Sequence, residues 1–197
     1  SAAWRDLSPN GNSGTFVGTP TYSSNDSGGS VTTSIGKYIS TGYNISSNTF
    51  TISMLVKLNP SSFWAVAWAN ESWNAGSGYL SYFQNNSSIT IGRGGGGNNR
   101  IINVSDYTSI THWSWVINGT LSTLYRNSIQ IDSGNFDAPS GFSTNGLYFG
   151  ARHQNDGTSF TDSCPMTLYN AFVYNRALSS SEILQNYNAQ KSRFGLT

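Results

Sequence analysis

Residues 168–187 read Leu168-Tyr-Asn-Ala-Phe-Val-Tyr-Asn-Arg-Ala-Leu178, then Ser179-Ser-Ser-Glu182, then Ile183-Leu-Gln-Asn-Tyr187. Apolar and aromatic residues at Leu168, Ala171, Phe172, Val173 and Tyr174 predict a strand. At Asn175-Arg-Ala-Leu178 the chain turns out of that strand toward a short helix. Ser179 takes the N-cap position and Glu182 stands three residues on, the spacing at which each side chain satisfies an amide of the first helical turn. Ile183, Leu184 and Tyr187 then give one small apolar face.

The rest of the chain reads as more strands. Charged residues make up only 10 % of the 197 and aromatics 14 %, while Ser, Thr, Asn and Gly are abundant. A helical protein of this length needs far more Ala, Leu, Glu and Lys; this composition suits short strands joined by polar turns. Turn signals such as Asn10-Gly11, Asn25-Asp-Ser-Gly-Gly29, Asn118-Gly119 and Asn145-Gly146 punctuate the sequence in the manner of a sandwich. Between such signals, strands are expected over 38–39, 50–58, 64–68, 78–83, 88–91, 113–117, 123–126, 129–132, 147–151 and 166–173. Ile52, Met54 and Val56 alternate with Thr51, Ser53 and Leu55, so one face is wholly apolar and hairpin-linked antiparallel pairing follows. No linker or repeat divides the sequence, and residues 1–197 are read as a single domain able to bury a core without staples.

A net charge of +1 argues against electrostatic capture of nucleic acid or of acidic membranes. The one basic run, Arg93-Gly-Gly-Gly-Gly-Asn-Asn-Arg100, reads as a glycine-rich hairpin tip rather than a phosphate contact. Cys164 is alone, so no internal disulfide forms, and beside Pro165 it reads as a small buried or edge residue. No stretch approaches the ~20 apolar residues of a membrane span, so no membrane insertion is expected.

The closing segment resembles that of the concanavalin-A-like, laminin-G-like jelly rolls, a superfamily of lectins, adhesion domains and some glucanases. Four further stretches are similar to the same family. They are Trp4-Arg-Asp-Leu-Ser-Pro-Asn-Gly-Asn-Ser-Gly14, Phe50 to Val56, Trp113 to Gly119 with Leu124 to Asn127, and Leu147 to Arg152. The resemblance implies an all-β antiparallel sandwich with a short C-terminal helix. Members usually carry one more strand before the Trp4–Gly14 loop. The chain is therefore expected to be part of a larger protein, or to take that strand from another chain. The ending Asn175-Arg-Ala-Leu-Ser to Leu196 resembles, more narrowly, laminin-G-like domains of tailed-phage virion proteins such as tail fibres and head decorations. That implies a lectin-like domain on a virion surface, extracellular, binding host or environmental glycans. The rival expectation is a structural decoration protein acting through contacts with other virion proteins or with copies of itself. A glycan hydrolase is the third.

Catalysis finds little support in the residues. Retaining hydrolysis needs two carboxyls about 5 Å apart, and the chain has only Glu71, with no acid two or four residues away, and Glu182, in the capping box. His112 and His153 are isolated. The protein is read as not an enzyme.

Sugars present apolar C–H faces flanked by hydroxyls, so their sites pair an aromatic platform with polar donors and acceptors. The segment Phe63-Trp-Ala-Val-Ala-Trp-Ala-Asn-Glu-Ser-Trp73 is dense in that mixture. Strict alternation puts Trp64, Val66 and Trp68 on one face. Either both tryptophans are core, as large aromatics mostly are, or they belong to a site. Trp73, in a polar, glycine-rich loop, is the expected stacking platform. Asn70, Glu71, Trp68, Tyr82, Arg152 and His153 complete the candidate carbohydrate site. In the opening loop, Asp6, Ser8, Asn10 and Asn12 alternate as calcium ligands would, with Asp6, Asn10 and Asn12 the candidate metal ligands. The same residues also serve plain turns.

Overall fold

A computed structural model describes residues 3–60, 64–72, 76–84, 87–104, 106–153 and 160–196. In chain order the strands begin with β1 (Ala3–Trp4), β2 (Gly14–Val17), β3 (Thr21–Ser23), β4 (Ser30–Thr32), β5 (Tyr38–Thr41) and β6 (Thr49–Leu58). There follow β7 (Val66–Ser72), β8 (Ser77–Gln84), β9 (Ser88–Arg93), β10 (Arg100–Asn103), β11 (Thr111–Asn118) and β12 (Leu121–Arg126). The last are β13 (Ile129–Asn135), β14 (Tyr148–Phe149), β15 (Arg152–His153), β16 (Phe160–Thr161) and β17 (Met166–Tyr174), before helix α1 (Ser180–Phe194).

Two antiparallel sheets form a sandwich, the all-β jelly roll expected from the sequence. Among the described residues, one sheet has eight strands in the order β1-β2-β5-β14-β7-β8-β9-β10. The other has seven, β13-β12-β11-β6-β17-β4-β3. Alternation in β6 sends Ile52, Met54 and Val56 into the space between them, where they meet Trp68, Trp113, Trp115, Tyr79 and Phe83. Trp113 and Trp115 are fully buried there. At one margin Arg100 on β10 makes paired hydrogen bonds of 2.7 and 2.6 Å to Asp132 on β13, tying the two sheets together. A Cβ on Gly134 would lie 2.3 Å from that guanidinium, so a larger residue there would displace it from Asp132. Arg93 and Arg100 close a hairpin between β9 and β10, as the glycine run predicts.

Helix α1 covers the outside of the seven-stranded sheet, burying Leu178 and Ile183 against Val116 and Tyr125. Its start is the expected capping box: the Ser179 hydroxyl accepts from the Glu182 amide, and the Glu182 carboxylate accepts from the Ser179 amide at 2.8 Å. Gly195, in the left-handed region with φ 63°, ends it, and its amide donates to the Lys191 carbonyl. Cys164 is fully buried, and burial pushes its thiol far up.

One expectation fails in β7. The register against β8 shifts between Val66 and Trp68, which pair with Tyr82 and Ser81. The extra residue is a β-bulge, and it reverses the alternation. Val66 faces outward while Trp68 turns into the core, edge-on to Trp115 at 6.0 Å and to Phe50 at 6.2 Å. Trp64 and Trp68 therefore do not share a face.

Candidate functional site

The outer face of the eight-stranded sheet gathers most of the polar and aromatic residues that the sequence singles out. Beyond the bulge, β7 alternates again: Ala69 packs outward with Val66, Leu80 and Tyr82, and Asn70 lies opposite core-facing Tyr79. Glu71 then returns to the outer side, where its Oε1 lies 3.5 Å from the Arg152 guanidinium.

Arg152 is the hinge of the arrangement. It stands on β15, which with β16 forms a small pair over this face, and its Nε donates to Asp162 Oδ2 at 2.5 Å. Phe160 of β16 anchors the pair by stacking on Tyr38 at 4.3 Å and meeting Tyr148 edge-on at 5.0 Å. Glu71 is fully buried beneath. Burial pushes its carboxyl up to about 7; the Arg152 charge and hydrogen bond pull it down, and the Asp162 charge raises it. This Glu–Arg–Asp group fixes the Arg152 side chain beside the sheet.

Next to it Trp64 is 42 % exposed, its ring 5.1 Å from that of Tyr82. Tyr82 is buried beneath and its hydroxyl accepts from Asn99 Nδ2 at 3.2 Å. Trp64, Val66, Leu80, Tyr82, Arg152 and Asp162 line one shallow depression. An indole partly open to solvent, with a guanidinium and a carboxylate at its side, is the residue chemistry a sugar ring needs.

The sequence-derived set divides accordingly. Glu71, Tyr82 and Arg152 come together on this face. His153 lies beside them, 4.6 Å from the Phe160 ring and 5.9 Å from that of Tyr148. Two members are corrected. Trp68 and Asn70 are both fully buried on the core side; Asn70 Nδ2 donates to the Asn145 carbonyl, and neither residue can touch a ligand on the outer face. Trp73 lies outside the described residues. Trp64 is the gain: only the bulge, invisible in the apolar pattern, separates it from Trp68.

Asp6, Asn10 and Asn12 lie away from this face, in the loop after β1. The Asp6 carboxylate accepts from the Ser8 amide at 2.8 Å, the Ser8 hydroxyl at 2.9 Å and the Asn12 amide at 2.7 Å. These bonds hold its carboxyl below the usual carboxylate range. Calcium takes six to eight oxygens; here the loop offers one carboxylate, whose two oxygens accept three hydrogen bonds from the loop itself.

The sequence profile described as the concanavalin A-like lectin/glucanases superfamily, laminin G type 3, matches residues 23–184, and the chain belongs to that superfamily. No curated protein matches it by sequence. Among solved structures, the binding domain of Paraclostridial mosquitocidal protein 1 superposes with a TM-score of 0.72 at 17 % identity, over 98 % of this chain and 52 % of that one. The botulinum neurotoxin serotype G binding domain gives 0.70 at 14 %, over 95 % and 49 %. A botulinum neurotoxin type C structure, whose cell entry is described as dependent on two ganglioside molecules, gives 0.71 at 14 %, over 94 % and 48 %. The chain thus spans about half the length of these structures, and at such identities the likeness is one of fold.

Proposed function

We propose that this chain is a non-catalytic, lectin-like domain that binds glycans on the outer face of its eight-stranded sheet. Trp64 is the stacking platform, and Arg152 and Asp162 supply the polar contacts. The observation that carries this reading is the exposed Trp64 ring set against Tyr82, beside a guanidinium that Glu71 and Asp162 hold in place. A pyranose laid on the indole buries its C–H face while its hydroxyls meet hydrogen-bonding groups at the rim. The described association of a fold neighbour with gangliosides agrees with such a ligand. Glu71 serves as a support rather than an acid catalyst, since it is fully buried and faces Arg152.

The resemblance of the closing segment to tailed-phage proteins supports a place on a virion surface, in a tail fibre or head decoration. There the domain meets host or environmental glycans. A second reading, a decoration protein working through protein contacts, draws on the exposed Ile101 and Ile129 of edge strands β10 and β13, 58 % and 67 % exposed.

A glycan-array screen, run with and without calcium on the wild type, Trp64→Ala and Trp73→Ala, tests the proposal. Calcium-independent binding lost in Trp64→Ala is expected. Silence of a well-folded wild type would favour the structural role, and loss in Trp73→Ala alone would move the platform to that loop.

A further inference from the structure

The depression beside Trp64 holds more acids than bases. Among the described residues, its lining has two charged side chains, Arg152 and Asp162, and Glu71 lies beneath Arg152. Two carboxyls therefore share one guanidinium. Arg152 spends its Nε on Asp162 Oδ2 at 2.5 Å and turns Nη1 toward Glu71 Oε1 at 3.5 Å. An arginine receives a ligand carboxylate best through two parallel N–H donors. A guanidinium offers two such pairs, Nε with Nη2 and Nη1 with Nη2, and here each pair already has one nitrogen engaged.

Asp162 is the outer acid. Its side chain is 23 % exposed, whereas that of Glu71 is fully buried. With φ 53° it stands in the left-handed region, which glycine, asparagine and aspartate enter more readily than other residues. Its carbonyl accepts from the Val66 amide at 2.7 Å, next to a parallel bridge between Val66 and Ser163, so the backbone that displays it is fastened to the start of β7. The bonds from Arg152 and Thr161 both end on Oδ2. Oδ1 is the oxygen it offers to a ligand, and a carboxylate only accepts. Sugar hydroxyls and amide N–H groups can donate to it; a sugar carboxylate or sulfate cannot, and meets a like charge.

We propose that this face selects uncharged glycans over acidic ones, and that Asp162 sets the selection. The inference rests on the glycan-binding reading above. A neutral sugar stacked on Trp64 brings hydroxyls that donate to Asp162. An acidic sugar in the same pose brings a second negative charge beside Asp162, with no unengaged donor pair on Arg152 to receive it. Two like charges about 5 Å apart in partly screened surroundings cost about tenfold in affinity.

The probe is a glycan array printed with matched sets, each neutral oligosaccharide beside its sialylated and its sulfated form, read with wild type, Asp162→Asn and Asp26→Asn. Wild type should bind neutral members at least about tenfold better than their acidic partners. Asparagine suits the left-handed backbone and keeps an acceptor for Arg152, so Asp162→Asn should raise the acidic-to-neutral ratio about tenfold, whichever way the absolute affinities move. Asp26→Asn removes the same charge from the turn between β3 and β4 of the other sheet, and its ratio should match that of wild type. Acidic members bound by wild type as well as neutral ones, or better, would overturn the proposal while leaving glycan binding in place. So would an unchanged ratio in Asp162→Asn, or a rise in Asp26→Asn as large as in Asp162→Asn. A well-folded wild type that binds no member of any set would overturn the glycan-binding reading and this inference with it.

Discussion

Glu71 and His112 are buried ionisable groups with opposite consequences for stability. Burial raises the Glu71 carboxyl from 4.5 to about 7 and lowers the His112 imidazole from 6.5 to about 4. Between pH 4.5 and about 7 the folded protein holds a proton on Glu71 that the unfolded chain releases, so this contribution falls as pH rises. Between pH 6.5 and about 4 the unfolded chain takes a proton on His112 that the folded protein refuses, so that contribution falls as pH drops. The two slopes, each on the order of 3 kcal/mol over its window, oppose each other where they overlap. Wild-type stability should be nearly flat there. Glu71→Gln should expose a rise with pH between 4 and 6.5, and His112→Leu a fall between 4.5 and 7, read by urea denaturation at each pH. His112 suits an apolar replacement because neither ring nitrogen has a hydrogen-bond partner among the described residues. Trp68 and Trp64 form a second contrast. Trp68→Ala should cost about 3–5 kcal/mol by emptying core volume, whereas Trp64→Ala, which loses only a half-exposed ring packed on Tyr82, should cost about 1–2 kcal/mol while removing glycan binding.

At the scale of elements, what the sequence revealed depends on whether a signal is local. The α1 cap is written in four adjacent residues, and the structure reproduces it; Ser179→Ala should lower stability by about 1 kcal/mol in thermal or urea unfolding. The long strands β6 and β11 were legible from apolar alternation and from paired tryptophans. The β7 bulge was not, because it arises from pairing with β8 and leaves no mark in the pattern of β7 itself; the faces of Trp64, Trp68 and Asn70 were misread with it. Short strands such as β15 and β16 exist only through pairing with each other and carry no periodicity of their own. Asp162 was missed as a partner of Arg152 for a related reason: ten residues separate them, and only the pairing of β15 with β16 brings them together.

The whole molecule is a sandwich with different work on its surfaces. The seven-stranded sheet is closed on the outside by α1. The eight-stranded sheet keeps a partly open face with an aromatic step and a fixed arginine, and one margin holds a recess lined by Trp4, Phe149 and Tyr174. The six tryptophans report separately on glycan binding at the open face. Trp68, Trp113 and Trp115 are fully buried, Trp64 is on the proposed platform, and Trp4 lines the recess. The decisive measurement is a nitrogen–proton spectrum of the indole N–H groups, titrated with the strongest glycan from the array. The Trp64 signal is expected to shift progressively while those of Trp68, Trp113, Trp115 and Trp4 hold still. A titration that moves Trp4 and leaves Trp64 unchanged would contradict glycan binding at the open face.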